Sequence, residues 1–264
     1  MAVDVPLDAG APARRLRILC LHGYEEDSAV MRAKIRRHTE ALQETADFGN
    51  SFPPQLFVDA PNTLRPYDID GVDNMARAAD ARAGRTLGRT LRGWYWPRSL
   101  EPESVCGLEA SIAHLESVLA QQGPFDGVFG FSQGNWIIIG GLMAGVLCAL
   151  LEHRRDLLGN SSSCTHPALR FAVICSGYRL RDAAWAHLYA APIRTPSLHV
   201  YGVLDSMIHV SRSIDHQAAF VQPAALSFLG TQVEAKFPHL LHFVPKSHEA
   251  VRTIQQFVER FSHQ

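Results

Sequence analysis

The sequence predicts an α/β fold, with a mostly parallel central sheet and helices on both faces, formed as one domain over residues 14–264. Three observations carry this. Short continuous apolar runs recur along the chain, each the length of a strand buried on both faces. Between them lie segments with apolar residues at three- and four-residue steps, the spacing of a helix with one buried side. The chain has 264 residues, 47% of them hydrophobic, which is enough for one large core.

Leu16-Arg17-Ile18-Leu19-Cys20-Leu21 reads as a buried strand ending at His22-Gly23-Tyr24. Met31 to Glu44 reads as a helix, with Met31, Ile35, His38 and Leu42 on one side. Gln55 to Pro61 is a second strand, stopped by its proline. Pro66 to Trp96 follows, rich in Ala, Gly and Arg and weak in periodicity. Gly107 to Gln121 is an amphipathic helix carried by Leu108, Ile112, Leu115 and Leu119. Phe125 to Phe129 is a strand, and Trp136 to Leu151 a buried helix whose Gly140, Gly141 and Gly145 allow close approach. His153 to Pro167 is a polar surface insertion, and Leu169 to Gly177 and Thr195 to Gly202 are strands. Ser213 to Val221 is a short helix, Thr231 to Phe237 an edge strand, and His248 to Phe261 the closing helix. Residues 1–13 hold two prolines, a glycine, Asp4 and Asp8, and read as a disordered leader with no signal-peptide character.

Composition excludes several classes. A formal charge of −1 gives no reason to expect nucleic acid as a partner. Trp136 to Leu151 falls short of a membrane span. Cys20, Cys106, Cys148, Cys164 and Cys175 are odd in number and scattered, never in a C-x-x-C pair, which fits thiols in a reducing compartment rather than a disulfide frame or zinc site. A cytoplasmic protein with no cofactor and no metal is expected.

The chemistry enters at Gly130-Phe131-Ser132-Gln133-Gly134, a G-x-S-x-G pentapeptide between a predicted strand and a predicted helix. A sharp turn there presents Ser132 as a nucleophile, the flanking glycines leaving room for neighbouring backbone. Such a serine needs a base, and an acid to orient the base. In the α/β-hydrolase arrangement both come later, acid before histidine. Asp205, past the end of a predicted strand, is the favoured acid over Asp182 and Asp215. His239, His242 and His248 cluster near the C-terminus. His248 opens the last helix, where a surface role is usual. His242, ahead of the direction-fixing Phe243-Val244-Pro245, is the favoured base, with His239 the alternative. Oxyanion donors are expected from the backbone N–H groups of Gln133 and Tyr24. His22 precedes the serine and is expected to fix its loop by hydrogen bonds.

Leu21-His22-Gly23-Tyr24, Phe57-Val58-Asp59-Ala60-Pro61, Gly107-Leu108-Glu109-Ala110-Ser111-Ile112, the run Gly123 to Gly134 and Val200-Tyr201-Gly202-Val203-Leu204-Asp205 share one pattern. Together they resemble the FSH family of serine hydrolases, from about Leu16 to the C-terminus. The resemblance implies an α/β-hydrolase fold, esterase or thioesterase activity, and a triad of Ser132, Asp205 and His242. It also suggests release or trimming of an intermediate in a fungal polyketide (secondary-metabolite) pathway. One departure is Pro238-His239-Leu240-Leu241-His242, where the family pattern carries glycines in place of the leucines. A second is the long interval between Asp205 and His242, with the excess around Pro223 to Thr231.

Trp94 and Trp96, in Arg92-Gly93-Trp94-Tyr95-Trp96-Pro97, are candidates for lining an acyl pocket. Arg82, Arg85, Arg89 and Arg92 fall on one face of any helix there, a surface that could meet an anion such as an acyl-carrier domain or its phosphopantetheine. The expected substrate is a small-molecule ester or thioester. The alternatives are a general medium- to long-chain acyl esterase and a catalytically silent small-molecule binding module on the same fold.

Overall fold

The computed structural model describes residues 14–48, 56–64, 90–100, 103–131, 142–158, 165–205, 208–228 and 243–262. In chain order its strands are β1 (Leu16–Leu21), β2 (Ala46–Asp47), β3 (Phe57–Val58), β4 (Asn62–Thr63), β5 (Arg92–Gly93), β6 (Trp96–Leu100), β7 (Glu103–Cys106), β8 (Gly127–Phe131), β9 (Phe171–Cys175), β10 (Ser197–Gly202) and β11 (Pro223–Phe228). Its helices are α1 (Ser28–Lys34), α2 (Arg36–Ala41), α3 (Leu108–Gln122), α4 (Leu142–His153), α5 (Val210–Gln217) and α6 (His248–Glu259), with 3₁₀ turns at Arg155–Leu157 and Ala183–Tyr189.

The main sheet runs β11-β10-β9-β8-β1, and the far side of β1 is shared by two short strands. β2 pairs with its start, Leu16 opposite Ala46, and β3 with its end, Cys20 opposite Phe57. Every pairing in this sheet is parallel. Strand period then sorts the core into two layers. Leu19, Leu21, Val128, Ala172 and Ile174 pack with α3 and α4 on one face. Ile18, Cys20, Phe129, Val173, Leu198 and Val200 pack with Met31 of α1 and Ile254, Phe257 and Val258 of α6 on the other. Each fully buried Val, Leu, Ile, Phe or Met among them contributes roughly 1.5–3 kcal/mol. The parallel sheet with helices on both faces is as expected.

Two glycines make the layers fit. A Cβ on Gly130 would stand 2.7 Å from the Ala144 Cβ, so the first glycine of the pentapeptide lets β8 approach α4. A Cβ on Gly145 would stand 2.4 Å from the His216 ring, so α4 also receives α5 closely. Gly140 and Gly141 lie outside the described residues, as do residues 1–13. Cys20, Cys106, Cys148 and Cys175 are free, and burial pushes the thiols of Cys20, Cys148 and Cys175 well up. Among the described residues no helix is long and apolar enough to cross a membrane.

The structure departs from expectation in three places. The helix expected over 31–44 begins earlier, at Ser28, because Asp27 caps it by accepting from the Val30 N–H at 2.8 Å, and it breaks at Ile35 into α1 and α2. The stretch 66–96, whose weak periodicity predicts no element, ends in β5 and the start of the β6–β7 hairpin. An unexpected strand, β11, lies parallel to β10 with Ser197 opposite Pro223. Its alanines are poor strand formers, and its proline is tolerated because it opens the strand. Thr231–Phe237, expected as the edge strand, lies outside the described residues.

Candidate active site

Because all strands of the main sheet are parallel, their carboxyl ends share one edge. The chain leaves β1 for β2 and β3 on one side and returns to β8 on the other, so the strand order reverses between β1 and β8. In open parallel sheets the crevice at such a reversal is where functional groups gather. His22-Gly23-Tyr24 follow β1 there, the pentapeptide serine follows Phe131 of β8, and Asp205 follows β10.

The loop after β1 is held from several directions. His22 is 1% exposed. Its Nε2 accepts from the Ala60 N–H at 2.8 Å, its Nδ1 stands 2.6 Å from the Gly23 carbonyl, and its own carbonyl accepts from Trp94 Nε1 at 3.0 Å. This network assigns a neutral ring protonated on Nδ1. Burial lowers the pKa of His22, more than the Gly23 carbonyl and the nearby acidic residues raise it. His22 is thus a structural bracket, as expected. Gly23 N–H donates to Glu26 Oε2 at 3.2 Å, and Glu25 N–H to the Arg92 carbonyl at 2.8 Å. Glu25 adopts a positive φ of 59°, a costly conformation for a residue with a side chain. Tyr24, between these anchors, is buried against Leu64, with Leu91 and Trp96 beside it.

Trp94 is 0% exposed and sits behind the loop with its ring 5.5 Å from that of His22, while Trp96 is half-buried beside Tyr24. Asn62 escaped the sequence reading. Its Nδ2 lies 3.0–3.2 Å from the carbonyls of Gly93, Trp94 and Gly107 and the hydroxyl of Ser111, so it fastens the aromatic segment to α3. Arg92 is similarly committed, donating to the Ala60 carbonyl at 3.1 Å with Asp59 at 3.7 Å. It therefore leaves the proposed anion-binding face, whose other members, Arg82, Arg85 and Arg89, lie outside the described residues.

The acid candidates separate. Asp182 accepts from Ala184 N–H and Val105 N–H, both at 2.9 Å, which makes it a cap and a tether for β7. Asp215 lies within α5. Asp205 is 7% exposed in the turn after β10, and its Oδ1 accepts from Ile208 N–H at 2.9 Å. Just ahead of it, Val203 and Leu204 expose apolar surface at the same sheet edge. Ser132, Gln133, His239 and His242 lie outside the described residues. The chain resumes at Phe243, and Val244 is buried in the core beside α6. The Lys246 carbonyl accepts from Arg37 at 3.0 Å, which fixes the direction of this segment. His248 is exposed at the start of α6.

A cavity of about 850 Å³ lies at the opposite end of the sheet, lined by Glu152, Arg155, Arg170, Arg194 and neighbours. Two of its guanidinium groups are already bound: Arg170 to Asp126 at 3.1 Å, Arg155 to the His166 carbonyl at 2.5 Å. It is not the crevice at the strand reversal.

A family model described as serine hydrolase (FSH1) matches residues 12–254. Esterase OVCA2 of Danio rerio is 29% identical over 255 residues, covering 93% of this chain and 97% of that protein. Esterase OVCA2 of Homo sapiens is 26% identical over 261 residues, covering 96% and 99%. Among solved structures, acyl-protein thioesterase 2 of Zea mays superposes with a TM-score of 0.54 at 18% identity over 94% of each chain. SOBER1 of Arabidopsis thaliana gives 0.55 at 14% identity, over 95% of this chain and 100% of that one. At these identities the two structures speak to the fold alone, the α/β-hydrolase architecture.

Proposed function

The chain belongs to the serine hydrolase (FSH1) family, and from that premise we propose that it cleaves a carboxylic ester or thioester through an acyl-enzyme on Ser132. In this reading Ser132 attacks the carbonyl carbon while His242 takes the hydroxyl proton. Asp205 holds the imidazole in the tautomer that can accept it and stabilises the imidazolium. The N–H groups of Tyr24 and Gln133 receive the oxyanion. The tetrahedral species collapses as His242 returns its proton to the leaving alcohol or thiol, and water, activated by the same imidazole, releases the acid and restores Ser132.

One observation carries the reading most: a buried carboxylate, Asp205, stands past the end of β10, on the same sheet edge as the bracketed loop after β1 and the end of β8. Val203, Leu204 and the half-buried Trp96 give that edge apolar surface suited to an acyl chain, with Trp94 bracing the wall from behind. Release of a carrier-bound polyketide intermediate is a narrower version, supported by the family resemblance alone.

Fluorophosphonate labelling tests this. The wild type should label at Ser132, and Ser132→Ala should not. Ser132→Ala and His242→Ala should each lower kcat by about 10⁴-fold or more. A wild type that never labels would make the protein a binding module. A His239→Ala loss with an active His242→Ala would move the base to His239. Paired oxygen and sulfur esters of increasing acyl length then separate a thioesterase from a general acyl esterase.

A further inference from the structure

We infer that Lys34 and Glu26 are positioning residues, an ionic clamp that sets the oxyanion loop against the end of the nucleophile strand; the inference rests on the catalytic reading above. Lys34 is the last residue of α1. Its ammonium lies 4.0 Å from the ring centroid of Phe131, the residue that ends β8 and immediately precedes Ser132. The same ammonium pairs with Oε1 of Glu26. The other oxygen of that carboxylate, Oε2, accepts the Gly23 N–H at 3.2 Å. A continuous path of contacts thus runs from the strand end carrying Ser132 to the peptide next to Tyr24.

Burial makes the path strong. The side chains of Lys34 and Glu26 are 26% and 16% exposed, so water screens their attraction less than on an open surface. The cation over the Phe131 ring adds a contact that depends on the position of the strand end. Glu26 is also pinned through its backbone, as its bridge to Arg92 fixes where the carboxylate starts. Neither charged group belongs to the reacting set. Their effect on the reaction is through geometry and through sign. Oxyanion donors must sit within about 0.5 Å of their productive positions. The Glu26 carboxylate, bonded one residue from the Tyr24 donor, would also oppose negative charge gathering there, and the Lys34 cation neutralises it.

The test is a double-mutant cycle read by kcat, KM and the rate of fluorophosphonate labelling. Lys34→Met should lower kcat and labelling rate about ten- to a hundredfold, as loose positioning does. Its KM should stay within about threefold, because ground-state binding is not the affected quantity. Lys34→Arg should restore most of the loss by keeping the charge. Lys34→Met combined with Glu26→Gln should be faster than Lys34→Met alone, since glutamine keeps an acceptor for Gly23 N–H and removes the uncompensated negative charge. If Lys34→Met does not fold, Glu26→Gln at wild-type Lys34 decides: a kcat loss with steady KM supports the clamp, and unchanged turnover overturns it. Lys34→Met with wild-type turnover and an unchanged urea midpoint overturns it too, as does a double variant no faster than the single. A wild type that fails to label brings down the catalytic reading and the clamp together. A wild type that labels, with Lys34→Met labelling equally fast, brings down the clamp alone.

Discussion

Acidification from pH 7.5 to 5.0 should remove several kcal/mol of stability, because histidines are buried in the neutral state. His38 of α2 is buried and meets the edge of Phe129 at 6.0 Å. Burial lowers its pKa from 6.5 to about 4, a shift that the nearby Pro245 carbonyl opposes and the Lys246 charge assists. His199 of β10 and His216 of α5 face each other at 5.4 Å among Phe220 and Tyr189. Burial lowers His199 to about 3 and His216 well below its ordinary value, with the His199 and Arg179 charges adding to the second. A neutral form favoured in the fold means that the unfolded chain binds more protons than the native one once pH drops below 6.5. Stability is therefore complete above that pH and is lost progressively as pH falls toward each folded-state value.

The size follows directly. At pH 5.0 a histidine that titrates normally when unfolded and stays neutral when folded costs about 2 kcal/mol, at about 1.4 kcal/mol per pH unit. His38 and His199 together cost about 4 kcal/mol, a large share of the 5–15 kcal/mol typical of a domain. His216 adds to that, and His22 and His166, also lowered by burial, act in the same direction. Asp126 does not confuse the window. Burial pushes its pKa up, but the Arg17 N–H and the guanidinium groups of Arg14 and Arg170 outweigh this and hold it below 3.8, so its stabilisation is lost only in stronger acid. Urea unfolding at fixed ionic strength between pH 5.0 and 7.5 reads the effect, and His38→Gln should lower the slope by one proton. A stability independent of pH across the window would refute the reasoning, and an unchanged slope in His38→Gln would remove His38 from it.

Two further outcomes concern the site's supports. Gly130→Ala should destabilise by about 1–3 kcal/mol, because the new methyl meets Ala144 at 2.7 Å, and thermal melts should show a lowered midpoint. His22→Ala should cost about 1–3 kcal/mol, since it leaves the buried Ala60 N–H without its acceptor, and both a lowered melting midpoint and quicker hydrogen exchange at Ala60 should show it.

The sheet was legible because buried parallel strands write themselves as unbroken apolar runs. Leu16 to Leu21, Phe171 to Cys175 and Ser197 to Gly202 all lie within the expected ranges. β11 was not legible, because its Pro-Ala-Ala opening carries no strand preference and its place is fixed by the register it makes with β10. The same distinction applies to the site. Asp205 and the loop after β1 are proposed for the site because chemistry demands those residue types after strand ends, and both stand at the carboxyl edge of the sheet. Glu26, Lys34 and Asn62 could not be singled out that way, because a charge in a loop, a lysine ending a helix and an asparagine after a proline look like ordinary surface residues. Only the fold shows that the first two join β1 to β8 and that the third fastens the aromatic segment to α3.

Backbone strain is distributed in a way that this division explains. Glu25 and Ser176 are the non-glycine residues at positive φ among those described, at 59° and 50°. One follows β1 and the other follows β9, the two strands that flank β8. Such conformations cost about 1–2 kcal/mol each and persist only where the surroundings impose them. Ser176 is imposed upon by its N–H bond to the Val200 carbonyl at 2.7 Å and by complete burial. Ser176→Gly relieves the strain but gives the unfolded chain more freedom, about 0.5–1 kcal/mol against it, so the fold should gain up to about 1 kcal/mol or remain as it was. Ser176→Val, branched at Cβ, should instead lose several kcal/mol. Urea midpoints of the two variants should therefore fall on opposite sides of Ser176→Ala. If glycine proves as harmful as valine, the positive φ is not what sets stability at this strand end.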